Sequence, residues 1–350
     1  GDLDLGPQAK TLRDAPVTHV SWFAARAFCA ARGRRLPTQD EWEFAARADA
    51  TRADASGDPA FLRRMLEWYS RPASGPLPAA KDAEITVHGV RGLHGLVWEW
   101  VEDFNSAMIV GDSRSDGSRE SRLFCGAASL LSADVNNYAA YMRYALRSSL
   151  RGDYCVGSLG FRAARSEEPE AARTPAPAVG ESTATSIYDI GGTWQSQKDR
   201  PMSLKALRGR IRVVTLGFTF CPYACPRIVG DLQRIEAALG ADADKVGFVF
   251  ISIDPKRDTP AQLNEFAEAR KLDPKRWLLL RGESDRIQEV AVSLGFKYQP
   301  VEEDFAHTNL IAVVDADGRI IHREEALGAE IAPAVAVIRD LMAKPAVATP

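Results

Sequence analysis

The chain has 350 residues, 45% of them hydrophobic, with 44 Lys plus Arg against 47 Asp plus Glu and a net charge of -3. At roughly 150 residues per domain, that length predicts two domains with enough apolar residues for a core each, and the near-neutral balance offers no basic field for nucleic acid or anionic lipid. Five cysteines are too few for a disulfide scaffold, and their odd number leaves at least one unpaired inside the chain. No apolar run approaches the ~18 residues of a membrane span, so none is expected in this chain.

In the first half, Ser21 precedes an apolar helical segment, WFAARAFCAARG, that should end at Gly33. Thr38-Gln39-Asp40-Glu41 is a capping box opening a second helix, EWEFAARA. Beyond these the half is loop-rich, with Trp42, Trp98 and Trp100 and few long strands, which predicts packing of aromatics, or an ion, in place of a large sheet. Cys29 shares a helical face with Trp22 and Arg26 and reads as a packed small apolar residue. Cys125 and Cys155 either bridge or lie reduced in the core, and the sequence leaves both open. His19, His88 and His94 are scattered; solvated or core histidines are the first reading and a second metal site the alternative.

The motifs PVTHVSWFAARAFC, RLPTQDEWEFAAR, GLVWEWVEDF and LGFRAAR resemble the formylglycine-generating-enzyme/sulfatase-modifying-factor family over about Ala15 to Arg165. The resemblance implies a loop-rich α+β, C-type-lectin-like domain over residues 1–165, and an amino-terminal part of the usual fold is expected to be missing. Active members oxidise a substrate cysteine with two of their own, which follow an RGGS-like segment. Here the matching stretch, FCGAASLLSADVNN, places Ser132 and Asn137 at those positions, so formylglycine generation is the least favoured function. The family also implies calcium held by Glu99 with the carbonyls of Gly95 and Val97, although Gly92 stands where Asn or Asp would add an oxygen. The variant FCGAASLLSADVNNYAAYMRYALRSSL is most similar to a non-catalytic branch associated with copper nitrite reductases.

Residues 166–185, SEEPEAARTPAPAVGESTAT, are rich in Pro, Ala, Glu, Ser and Thr and read as a semi-rigid linker. They set the second domain at 186–343, followed by a loose tail at 344–350.

In that second domain, Ile211 to Phe220 (IRVVTLGFTF) and Val246 to Ile253 (VGFVFISI) read as strands covered on both faces. Between them Ile228, Leu232, Ile235 and Leu239 repeat at helical spacing from Pro226 onward, giving a βαβ unit. Thr259-Pro260 starts a second helix, Trp277 to Leu280 is a short strand, and Asp285 to Leu294 is a third helix. Leu310 to Val314 and Arg319 to His322 form a hairpin about Asp315-Ala316-Asp317-Gly318, and Ala332 to Met342 is a last helix. This order fits an α/β thioredoxin-like fold.

Cys221-Pro222-Tyr223-Ala224-Cys225-Pro226 falls at the end of the first strand. Pro226 is expected to open the helix with Cys225 at its amino end, where helix-terminal N–H groups favour thiolate over thiol. The CxxxC spacing lets two sulfurs converge on one metal or, if the loop flexes, form a disulfide. Two soft thiolates suit Cu(I), and an added imidazole suits Cu(II) as well.

The segments GFTFCPYACP, FISIDPKRDTP and HTNLIAVVDADGRI resemble the Sco/SenC family of copper-binding, thioredoxin-fold proteins over about Ser186 to Met342. By that resemblance Cys221, Cys225 and His307 are the copper ligands, and Asp254 and Asp258 shape the site. Tyr223 stands where many members carry Asp. His322 is expected to be exposed and structural, and Trp194 and Trp277 to be core or rim packing.

The function expected from these readings is a copper chaperone that delivers its ion to a periplasmic cuproenzyme, copper nitrite reductase being the client suggested, with the first domain docking the client. The alternative is a thiol–disulfide reductase in which Cys221 and Cys225 maintain the cysteines of a client copper site and are re-reduced by a thioredoxin-like partner. A periplasmic location is expected because a Sco-like dithiol works where copper is handled, with leader or anchor absent from this chain.

Overall fold

The structure is a computed structural model that describes residues 14–71, 77–106, 138–166, 186–221, 224–301, 304–325 and 330–343. These residues form two compact units, 14–166 and 186–343. Cys125, Ser132, Asn137, Tyr223, nearly all of the linker and the tail lie outside the described residues.

In the first unit, helix α1 (Trp22–Ala30) starts where the Ser21 hydroxyl accepts the Ala24 N–H, and it buries Trp22, Ala25 and Cys29. It stops three residues before Gly33, which takes the left-handed conformation. Helix α2 (Gln39–Ala46) carries the full capping box: Thr38 Oγ1 accepts the Glu41 N–H at 3.2 Å, and Glu41 Oε2 accepts the Thr38 N–H at 2.9 Å. Two further helices, α3 (Pro59–Ser70) and α4 (Tyr138–Ser149), were not expected from the sequence. In α3 the Asp58 cap and Pro59 at the first position are the start signal that could have found it.

The regular sheet is small: β1 (Trp98–Trp100) pairs in parallel with β2 (Leu159–Phe161). Aromatics supply the rest of the core, and three indoles find partners for their N–H groups. Trp22 Nε1 donates to the Val101 carbonyl at 3.1 Å, Trp100 Nε1 to that of Val20 at 2.9 Å and Trp42 Nε1 to Glu99 at 2.8 Å. Beside them the nearly buried carboxylate of Glu43 receives Arg143 and Arg147, each at 2.6 Å. Burial raises the Glu43 pKa, but the two guanidiniums outweigh it and hold the carboxyl below its ordinary range.

The second unit has a seven-stranded sheet: β3 (Trp194–Ser196), β4 (Pro201–Met202), β5 (Ile211–Gly217), β6 (Val246–Ser252), β7 (Trp277–Arg281), β10 (Ile311–Val314) and β11 (Ile320–Glu324), in the order β11-β10-β5-β6-β7-β3-β4. The central three strands are parallel, with Val213 opposite Phe248 and Phe248 opposite Trp277. Every residue of β6 is buried, because both sheet faces are covered. One face, through Val213, Phe248 and Phe250, meets α5 (Ala224–Leu239), α6 (Pro260–Ala269) and α8 (Ala332–Ala343). The other, through Val214, Leu216, Val249 and Ile251, meets α7 (Ser284–Leu294), which stops at Gly295 with φ 76°. Trp194 and Trp277 are both buried core residues. A separate antiparallel hairpin, β8 (Tyr298–Val301) and β9 (Asp304–His307), follows α7. No helix among the described residues is long and apolar enough to cross a membrane.

Candidate metal centre

The parallel strand β5 ends at Gly217, and the chain turns through Phe218 to Cys221 before entering α5. A Cβ at Gly217 would lie 2.8 Å from the Cys225 sulfur, so the missing side chain is what lets that thiol sit against the strand end. Helix α5 begins at Ala224 rather than at Pro226. Proline is accommodated there because the first-turn N–H groups have no partner inside the helix, and Cys225 thereby lies within the first turn and points inward.

Cys221, Cys225 and His307 come together with their ligand atoms within 4.8 Å of one another, and all three are buried. Among the described residues they are the only group of three or more such side chains placed to share an ion. Cys225 Sγ lies 3.8 Å from His307 Nε2 and accepts the Phe218 N–H at 3.4 Å, while the Cys225 N–H points at Cys221 Sγ at 3.5 Å. His307 Nδ1 is 2.8 Å from the Thr308 carbonyl, which can only accept, so Nδ1 carries the proton and Nε2 turns its lone pair to the sulfurs. The ring is held in place by Phe296, stacked at 5.6 Å, and by Phe218, edge-on at 5.9 Å.

The electrostatics differ from the expectation of a thiolate at the helix end. The hydrogen bond shared with Cys221, and then burial, hold the Cys225 thiol well above the ordinary thiol range, outweighing the Phe218 N–H that favours the anion. A cation bound between the sulfurs would supply the opposite charge that favours both as thiolates. Two sulfurs and one imidazole nitrogen form a soft donor set with N/S character, which fits copper in either common oxidation state.

The two aspartates lie behind the site. Asp258 is fully buried and receives the Thr219 hydroxyl at 2.6 Å, the Thr219 N–H at 3.1 Å and the Ser252 hydroxyl at 2.5 Å, which pins the loop between Gly217 and Cys221 to the end of β6. Burial raises the Asp258 pKa. Asp254 binds Arg257. The hairpin β8–β9 that delivers His307 was not read from the sequence: Pro300 interrupts its first strand, and the two-residue connection Glu302-Glu303 lacks the Asn-Gly type signature.

In the first unit, Glu99 receives Arg162 at 2.5 and 2.7 Å as well as Trp42, so both its oxygens are taken by cationic and N–H donors. This arrangement gives the calcium reading of Gly95, Val97 and Glu99 no support, because an ion there would have to displace a guanidinium. The three histidines do not converge. His94 lies edge-on to Trp42 and Phe61, both at 5.9 Å, with Nε2 3.0 Å from the Ala46 carbonyl; His88 stacks on Phe44 at 5.7 Å; and His19 lies beside Thr18. Cys29 is buried, and burial pushes its thiol up to about 11, as suits a packing residue. Cys155 is exposed. His322 is partly buried, 3.8 Å from Glu324.

Burial pushes His94 down to about 4, whereas a histidine in an unfolded chain titrates near ~6.5. Between these values the unfolded chain binds a proton that the folded one does not, so stability falls as pH drops from about 6.5 to 4. Urea unfolding at pH 7 and pH 4.5 should show about 2 kcal/mol of this loss in the wild-type chain and its absence in His94→Gln. Equal slopes would show that His94 titrates normally.

Comparison with known proteins follows the two units. Residues 183–343 match the SCO1/SenC family, and residues 2–167 match the sulfatase-modifying factor enzyme 1-like domain. The SCO1 protein homolog of Bacillus subtilis is 30% identical over 154 residues, covering 43% of this chain and 78% of that protein. The formylglycine-generating enzyme of Streptomyces coelicolor is 36% identical over 166 residues, covering 43% of this chain and 52% of the enzyme. The structure of Bradyrhizobium japonicum ScoI with copper bound is 30% identical with a TM-score of 0.37, covering 43% of this chain and 96% of that one. The chain spans about half the length of the curated relatives of its first unit and 62% of a further relative of its second. The chain therefore belongs, in its second unit, to the SCO1/SenC family, whose thioredoxin-like α/β domain is here fused behind a sulfatase-modifying-factor domain.

Proposed function

We propose that this protein binds one copper ion through Cys221, Cys225 and His307 and passes it to a cuproenzyme in the periplasm, with the first domain as the docking scaffold and copper nitrite reductase as the client. The observation that carries the copper reading is the convergence of two thiols and an imidazole lone pair within 4.8 Å, with the tautomer of His307 set by the Thr308 carbonyl. The client rests only on the resemblance that the sequence of segment 124–150 bears to a branch associated with that reductase. The donor set can release its ion by exchange, one ligand at a time, to a site with more or stronger ligands.

A thiol–disulfide reductase using the same cysteines is less favoured. The geometry that favours the copper reading is that His307 turns an imidazole lone pair to the sulfurs, a third donor that a dithiol–disulfide cycle does not need.

Anaerobic titration of the reduced chain with Cu(I) tests the reading. The expected result is uptake of about one equivalent per chain, with copper–thiolate absorption, followed by transfer to metal-free copper nitrite reductase. No uptake would overturn the function, whereas uptake without transfer would remove only the client.

A further inference from the structure

The hairpin β8–β9 lies outside the seven-stranded sheet, yet it must hold His307 against cysteines that come from the end of β5. A single side chain reaches all the parts involved. Arg257, in the loop after β6, donates from Nε to the carboxylate of Asp254 and from Nη2 to Asp304 Oδ1 at 3.3 Å, the first residue of β9. Its guanidinium also covers Phe218 at 5.6 Å and Phe220 at 5.2 Å, the residues that lead into Cys221. The inner end of this arrangement is fixed: Asp254 is buried, and its N–H donates to Ser252 Oγ at 3.0 Å, which in turn donates to Asp258. The outer end is partly exposed, at 34% for Arg257 and 37% for Asp304. Below the guanidinium, Phe218 meets Phe305 of the hairpin at 5.5 Å and His307 at 5.9 Å.

We propose that Arg257 is a positioning residue that latches the histidine-bearing hairpin to the cysteine-bearing loop, and thereby strengthens the hold of the site on Cu(II) relative to Cu(I). The inference rests on the copper reading above. Two thiolates satisfy Cu(I), which is content with few soft ligands; Cu(II) gains from the imidazole, and so from whatever keeps the hairpin closed. Arginine suits the task because its planar guanidinium stacks on aromatic rings while its fork reaches two carboxylates at once, which a lysine ammonium does not reproduce.

The test uses the full chain carrying Arg257→Met, Arg257→Lys or Asp304→Asn, with wild type alongside. An exposed ion pair together with two cation–π contacts is worth about a factor of ten, so Arg257→Met should bind Cu(II) about tenfold more weakly and lose intensity in the thiolate-to-Cu(II) absorption. Its Cu(I) affinity should stay within about twofold of wild type, since both thiols remain. Asp304→Asn, which leaves Asp254 paired, should shift Cu(II) in the same direction by about threefold, and Arg257→Lys should rescue only part of the loss. In the metal-free chain, amide exchange along β9 should quicken by about tenfold in Arg257→Met. Unchanged Cu(II) binding, or equal losses for Cu(I) and Cu(II) in both Arg257→Met and Asp304→Asn, would overturn the latch. Should wild type bind no copper, it is the copper reading that fails; unaltered exchange along β9 in Arg257→Met would then overturn the latch on its own.

Discussion

Replacing Cys225 with serine is expected to weaken Cu(I) binding by about two to four orders of magnitude. Metal sites built on thiolate and imidazole bind with roughly 10–16 kcal/mol in all, so loss of one of the two thiolates that hold Cu(I) removes at least about 3–5 kcal/mol. Serine nearly preserves the shape, and its hydroxyl can still accept the Phe218 N–H that reaches the sulfur at 3.4 Å, so the fold should survive while the soft donor is lost. Cys225 is the more telling of the two cysteines because it lies at the centre of the site, touching both Cys221 and His307. Competition with a chromophoric Cu(I) chelator under anaerobic conditions measures the change. Stoichiometric binding that persists in the Cys221→Ser, Cys225→Ser double variant would place the ion elsewhere in the chain.

The largest effect on stability is expected in the first unit, from Glu43→Gln. The carboxylate is 12% exposed and faces Arg143 and Arg147, whose side chains are 6% and 4% exposed. Tyr69 also accepts from Arg143, at 2.9 Å, but carries no charge to offset it. A neutral glutamine would leave two guanidiniums facing each other with their desolvation uncompensated, at a cost of about 3–5 kcal/mol. Against a typical domain stability of about 5–15 kcal/mol, that is enough to lower the unfolding transition of this unit substantially. The exposed pair Lys81–Asp14, with side chains 66% and 42% exposed, gives the contrast: solvent screens it, so Asp14→Asn should leave the unfolding transition nearly where it is. Urea unfolding of both variants measures the difference, and equal shifts would mean that the buried network contributes little.

Neither the network around Glu43 nor the latch at Arg257 was visible in the sequence, for one reason. Glu43 and Arg143 are one hundred positions apart, and Arg257 and Asp304 forty-seven; a pair separated in this way has no periodicity or spacing to announce it. Local signals fared differently. Thr38 to Glu41 specified its own cap, because both hydrogen bonds lie within one helical turn. The burial of Val213 and Val214, or of Phe248 and Val249, on opposite faces of the sheet was implicit in runs of β-branched and aromatic residues that only a doubly covered sheet can accept. The start of α5 was misjudged by two residues because proline is tolerated throughout the first turn. The Cys225 thiol was expected to be favoured as an anion by the helix end, and burial with Cys221 reversed that direction.

By itself, then, the sequence determined the two-part organisation, the CxxxC at a strand end and the soft character of the two sulfurs, since these depend on composition and on neighbours a few residues away. The resemblance of HTNLIAVVDADGRI pointed to His307, but neither spacing nor composition did, and tertiary structure is what carries that histidine to the sulfurs. His307 follows Cys225 by eighty-two positions, on a hairpin whose proline and glutamate pair disguise it. His19, His88 and His94 have the same side chain but different surroundings, and they turn to aromatic rings, a backbone carbonyl or a neighbouring hydroxyl. Ligation requires donor atoms to meet within a few ångströms, and only the folding of the hairpin onto the end of the sheet brings that about.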